Sequence, residues 1–170
     1  MSQATLSIHD LPLRTECACE KDTCSGEVVA LETPYATEIY FRCAPTLVDG
    51  DMDFEQQVRR FYGCLPSCLA RAGADLSHVV LERAFFENFA EDMDTFQEIR
   101  RGAYEGAGVS PDQFPATTYI QQPPCRRSQK IELHIHAIVP KPGKSVSVQT
   151  FQDERTGKTA KLVEIAGYKH

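Results

Sequence analysis

Glu132, His134 and His136 stand at alternate positions in the segment Lys130-Ile-Glu-Leu-His-Ile-His-Ala-Ile-Val139, and the positions between them are apolar. Alternation at period two marks a strand with one polar and one buried face. Three proton-active side chains on one face are more than a plain sheet strand needs. A carboxylate there can position or deprotonate water as a general base, and its structural alternative is a polar interface residue. The H-x-H pair has a spacing that metal sites use, and with Glu132 in phase a two-histidine, one-carboxylate triad is conceivable. Chelation by all three from one strand is awkward, because they spread over roughly 13 Å at about 3.3 Å per residue. His134 and His136 with a third ligand from elsewhere would not be awkward, but the two are read first as polar partners at a site wall or subunit interface, and no metal is assigned.

Arg42 and Cys43 adjoin in a β-rich run over residues 37–43. A guanidinium there could clamp a carboxylate bidentately, or close a salt bridge between subunits. Cys43 could be a nucleophile if Arg42 depressed its pKa, although a buried, inert cysteine is the commoner case. Among the seven cysteines, Cys17, Cys19 and Cys24 make a C-x-C-x₄-C pattern, and Cys64 and Cys68 make C-x₃-C. Neither matches the paired C-x₂-C of zinc knuckles. Cys64 and Cys68 fall one turn apart on a helix and read as core; the N-terminal trio is a metal or redox candidate.

At 170 residues, 42% apolar and 25% charged, the chain has the composition of one soluble domain with extensions. Its formal charge of −6 argues against a nucleic-acid partner, which would require a basic surface. The short cluster Arg126, Arg127 and Lys130 reads as a solvated turn. No segment has the apolar length of a signal peptide or a membrane span, and an odd cysteine count without a disulfide framework suits a reducing, cytoplasmic setting.

Strands are expected over residues 28–31, 37–43 and 78–86, and over two segments between residues 114 and 140. Asp53 caps a helix running to about Gly73, with Phe54, Val58, Phe61, Tyr62, Leu65 and Leu69 on one stripe. Pro66 should kink or break it. A second helix, capped near Asp92, carries Phe96, Ile99, Ala103 and Tyr104. Residues 1–27 read as an N-terminal extension, 28–140 as the domain, and 141–170 as a C-terminal extension expected to form a β-hairpin about residues 153–158. The core order is ββαβαββ, an α+β sheet with two helices on one face. Its other face is too apolar to stay wet, which predicts an oligomer packing sheet to sheet.

Four stretches in this order resemble the Rid/YjgF family of reactive-intermediate (enamine and imine) deaminases: Thr33-Pro-Tyr35, Asp53-Phe-x-x-Gln57, Phe114-Pro-Ala116 and Lys130-Ile-Glu-Leu133. The resemblance spans residues 28–140 and implies a YjgF-like, chorismate-mutase-like fold. It also implies a homotrimeric barrel with three active sites at subunit interfaces and no cofactor. Glu132 falls on the family glutamate that holds the hydrolytic water, and Tyr35 on the tyrosine of the family's Gly-Pro-Tyr turn. Thr117 stands where the family's carboxylate-clamping arginine follows Pro-Ala, and Arg42-Cys43 replaces its Ser-Gly pair. Tyr119, where the family often has a small residue, would reshape the cavity.

The implied pocket comprises Tyr35, Arg42, Cys43, Thr117, Tyr119, Glu132 and His134. Its implied substrate is a small enamine, imine or conjugated carboxylic acid, with Glu132 directing water or a proton and Arg42 holding the anion. Two alternatives stand beside it. One is a non-catalytic ligand-binding or regulatory trimer; the other is a biosynthetic enzyme resembling the chorismatases.

Overall fold

The computed structural model describes residues 7–9, 24–45, 52–124, 128–152, 155, 159–165 and 168–169. The chain runs β1 (Ser7–His9), β2 (Cys24–Glu32), β3 (Ala36–Pro45), α1 (Phe54–Arg71), β4 (Val79–Phe86), α2 (Phe89–Gly106), β5 (Ala116–Gln121), β6 (Ile131–Pro140), β7 (Val146–Gln152), β8 (Thr159–Ile165) and β9 (Tyr168–Lys169). Elements β2 to β6 reproduce the ββαβαββ order. Strands β1 to β6 form one sheet in the order β1-β2-β3-β6-β4-β5. Among the described strands of this sheet, only β4 and β5 pair in parallel. Parallel neighbours need a crossover connection, and α2 supplies it.

Both helices cover one face. Asp53 accepts from the Gln56 amide at 2.8 Å while the Gln56 side chain answers the Asp53 amide, a capping box that starts α1. The predicted stripe is buried as expected, and Cys64 and Cys68 join it. Pro66 does not break the helix: α1 runs through it, with the ring exposed and the missing donor outweighed by the buried stripe on either side. Gly73, at φ 75°, ends the helix as Ala74 N–H closes onto the Leu69 carbonyl. The second helix starts earlier than Asp92, at Phe89, which places Glu91 and Asp92 in its first turn, where the dipole favours acids.

The Asp-Phe-x-x-Gln stretch has a mechanical role as well as a capping one. Gln57 is fully buried; its amide donates to the Met52 and Ser128 carbonyls and accepts from Lys130 N–H at 2.9 Å. It thereby fixes the entry to β6, two residues before Glu132.

On the other face, β7 and β8 pair as an antiparallel hairpin. Val163 and Ile165 of β8 pack with Ala36, Val80 and Ile138 in a second, smaller apolar cluster. Lys161 Nζ donates to the Asp112 carbonyl at 3.0 Å and ties the hairpin to the turn before β5. This covers one end of the open face and leaves the rest to the polar residues of β3, β6 and β4. Cys17, Cys19, Arg126 and Arg127 lie outside the described residues.

Candidate functional site

Residue alternation sorts the sheet. Even positions of β6 and β3 point to the open face: Glu132, His134 and His136 on one strand, Glu38, Tyr40 and Arg42 on the other. A β-bulge in β4 resets its phase. Val79 pairs with Ala137 and Leu81 with His136, so Val80 is one residue too many. Beyond the bulge, Leu81, Arg83 and Phe85 share the open face, and Glu82, Ala84 and Phe86 turn to the helices.

Two carboxylates organise the open face. Glu132, 6% exposed, receives Arg42 Nε at 2.6 Å and His134 Nε2 at 2.8 Å, both on Oε1. An ionised carboxylate only accepts, so His134 Nε2 carries the hydrogen. Burial raises the Glu132 pKa, but the bonds from Arg42 and His134 outweigh it and hold the carboxyl below its ordinary value. Glu38, equally buried, takes Tyr40 Oη at 2.8 Å and His136 Nε2 at 3.0 Å on Oε2. The Tyr40 and His136 rings stack at 4.3 Å, 12° from parallel. Burial, with Glu38 adding to it, pushes the Tyr40 phenol up to about 12, so near neutrality it is a donor and not a base. Between the couples lies a depression of about 180 Å³ lined by Val29, Tyr40, Arg42, Leu81, Arg83 and His136 among others. Glu132 stands at its edge, touching the wall residues Arg42 and His134.

Each histidine thus serves a different carboxylate. Among the described residues, no three His, Cys, Asp or Glu side chains gather as a metal site.

The depressed pKa has a consequence for acid stability. A carboxyl depressed in the folded state contributes stability that is complete above its unfolded pKa and is lost as pH falls through the folded value. Urea unfolding of wild type and Glu132→Gln should therefore show a gap that narrows on acidification below the ordinary carboxylate range. A gap unchanged by acid would contradict the ion pair.

No family model and no curated protein matches the chain. Solved structures do. A protein of unknown function of the conserved Rid protein family, YyfA from Yersinia pestis, superposes with a TM-score of 0.51 at 21% identity, covering 62% of this chain and 88% of that one. A member of the YjgF protein family from Neisseria meningitidis gives 0.50 at 17%, covering 66% and 86%. TdcF from E. coli, solved with bound serine, gives 0.51 at 12%, covering 64% and 85%. The chain has the YjgF/Rid fold.

Within this YjgF/Rid fold, the residues grouped by resemblance do not meet. Thr117 lies opposite Glu82 and contacts its carboxylate at 3.4 Å, on the helix side. Tyr119 packs there too, against Phe86, Phe89 and Phe96. The expected pocket is corrected on this point: strand alternation puts Thr117 and Tyr119 behind the sheet, away from Glu132. Position 43 also falls on the strand phase opposite Arg42; only the backbone of Cys43 is among the described residues.

Tyr35 is on the open side but remote. It packs on the apolar cluster under the hairpin, and its carbonyl accepts from Lys141 N–H at 2.9 Å. Glu132 lies eight residues before Pro140, the partner of Ala36, or about 26 Å away at about 3.3 Å per residue. Glu132, His134 and Arg42 are what the structure brings together.

Glu38, Tyr40 and Arg83 went unmarked in the sequence, although the run 37–43 alternates as plainly as β6 does. Glu82 carried no signal, since a Glu82-Arg83 pair in an apolar strand does not say which of the two faces the helices. Among the described residues, no helix is long and apolar enough to cross a membrane.

Proposed function

We propose that this chain is a divergent Rid-type enzyme acting on a small enamine, imine or conjugated carboxylic acid. Its site is the open-face depression, and a homotrimer packs neighbouring copies around that face. One observation carries this reading: a buried carboxylate, Glu132, has Oε1 held by Arg42 and His134, while Oε2 has no hydrogen-bond partner among the described residues. An oriented carboxylate with one free oxygen can take a proton from water as the water oxygen adds to an imine carbon. The carboxyl returns that proton to nitrogen, giving a carbinolamine; its hydroxyl proton then passes to nitrogen as the C–N bond breaks, the carbonyl forms and ammonia leaves. Serine bound to TdcF, a protein of the same fold, supports a small polar ligand. Tyr35 would enter such a site only from a neighbouring copy.

The test is deamination of 2-aminoacrylate generated in situ by a pyridoxal-phosphate lyase. The expected result is a rate above background that falls by about 10²–10⁴ in Glu132→Gln, the usual range for a general base. A background-level rate that Glu132→Gln leaves unchanged would end the enzyme reading. The alternative, a non-catalytic small-ligand-binding trimer, is favoured by the lowered Glu132 pKa, which weakens it as a base.

A further inference from the structure

We infer that Arg83 is the anion-binding group of this depression, and that its ligand is a small planar carboxylate. The carboxylate would face Arg83 and His134, and the planar part would lie against the Tyr40–His136 stack. The inference rests on the proposed site but not on its turnover.

The first observation is a charge pattern. Arg42 pairs with His134 across β3 and β6, and Arg83 pairs with the same His134 across β6 and β4. Three basic side chains therefore share one cross-strand row on the open face, with neighbouring Cβ atoms about 4.5–5.5 Å apart. The chain carries a net charge of −6, so two arginines flanking one histidine in a row are not a by-product of composition.

The second observation is how the row is neutralised. Glu132 takes Arg42 and His134 on a single oxygen. Thr118 of β5 stands opposite Arg83. Glu38 is occupied by Tyr40 and His136. Arg83 is exposed and makes no hydrogen bond or ion pair with any described residue, and its charge acts on the Tyr40 phenol. Arg42, the anion holder expected from sequence, is already committed through Nε. The available guanidinium is on the next strand.

The third observation is shape. Arg83 lines the depression together with Leu81 and Val29, and the stacked Tyr40 and His136 rings form another part of its wall. A volume of about 180 Å³ holds a few carbon atoms plus a carboxylate. Apolar walls, a flat aromatic surface and one unsatisfied guanidinium match a conjugated short-chain acid.

Crotonate is a stable probe of that chemistry, and crotonamide is its neutral counterpart. Isothermal titration of the full chain should show crotonate binding at least about tenfold more tightly than crotonamide. Arg83→Gln should weaken crotonate by about 10- to 100-fold, as expected for loss of a charge-assisted hydrogen bond. Arg101→Gln, an exposed change on α2, should leave binding unaltered. Equal crotonate affinity in wild type and Arg83→Gln overturns the inference, as does no crotonate binding to the wild type. A change in molar mass by light scattering in Arg83→Gln, with affinity intact, also overturns it and makes Arg83 a subunit contact. Crotonate binding that depends on Arg83 without any turnover keeps the anion site and removes the enzyme. Turnover that depends on Glu132 and ignores Arg83 does the reverse.

Discussion

Arg100→Met will destabilise the protein by about 3–5 kcal/mol, the scale on which removing one partner of a buried ion pair acts. Glu82 is 0% exposed and faces the helices. Its Oε1 accepts from Tyr62 Oη at 3.0 Å and Tyr104 Oη at 2.8 Å, and its Oε2 meets Arg100 Nε and, at 3.4 Å, Thr117 Oγ1. Arg100 also donates to the Pro115 carbonyl at 2.9 Å and lies 5.3 Å from the centre of the Tyr104 ring. Burial alone would lower the Arg100 pKa, but the Glu82 charge outweighs it and the guanidinium stays charged. Burial, reinforced by Glu82, holds both tyrosines well above their ordinary values, so both hydroxyls remain donors.

With Arg100 gone, Glu82 must either keep an uncompensated buried charge or take up a proton. Both cost stability. For a chain of this length the loss corresponds to a drop in Tm of about 10 °C. Adding Glu82→Gln to Arg100→Met removes the orphan charge and should recover much of the loss. Urea unfolding of the wild type, both single variants and the double variant measures the coupling. A single-variant loss below about 1 kcal/mol would show that solvent reaches the pair.

Phe86→Ala is expected to cost about 3–5 kcal/mol, the range for emptying a buried aromatic site. The Phe86 ring is fully buried, stacked on Phe54 at 5.8 Å and set edge-on to Phe89 and Phe96. It joins the start of α1, the start of α2 and Tyr119 of β5 into one core, so no single neighbour can collapse into the space it leaves. Its chain neighbour behaves differently. Phe85 is half-buried on the open face, 4.8 Å from the His134 ring. Phe85→Ala should lose much less stability yet release the His134 ring, which the NMR chemical shifts of the His134 ring protons would show once the Phe85 ring current is gone. Equal losses from the two variants would mean that the face assignment on β4 is wrong.

The element order was legible because β6 and β3 alternate cleanly and the α1 stripe has helical spacing. Glu132, His134 and Arg42 came out together for the same reason: one strand phase puts them on one face. The failures have a common cause. The resemblance groups Thr117 and Tyr119 with Glu132, and sequence order does not say which face of β5 meets the helices. That face follows from the parallel pairing with β4, which α2 makes possible but no local pattern records. Glu82 was invisible because its partners Tyr62, Arg100 and Tyr104 lie 18 to 22 residues away on two helices. Where the resemblance leads one to expect an arginine at 117, a small threonine leaves the space beside Glu82 to the guanidinium of Arg100. Pro66 misled because a proline rule weighs one lost hydrogen bond and not the buried stripe around it.

The extra residue at Val80 acts as a frame marker for β4. It lets an apolar side chain meet the hairpin while the next residues resume alternation, so that the acid of the core network and the base of the open face are adjacent in the chain yet separated by the sheet. Deleting one residue upstream of Glu82 would exchange these roles at a stroke, driving Arg83 among aromatic rings and leaving Glu82 in solvent. Insertions and deletions in β4 are therefore closed to this protein as routes of change. Its open face can diversify only by substitution, one side chain at a time, on a strand whose phase is locked.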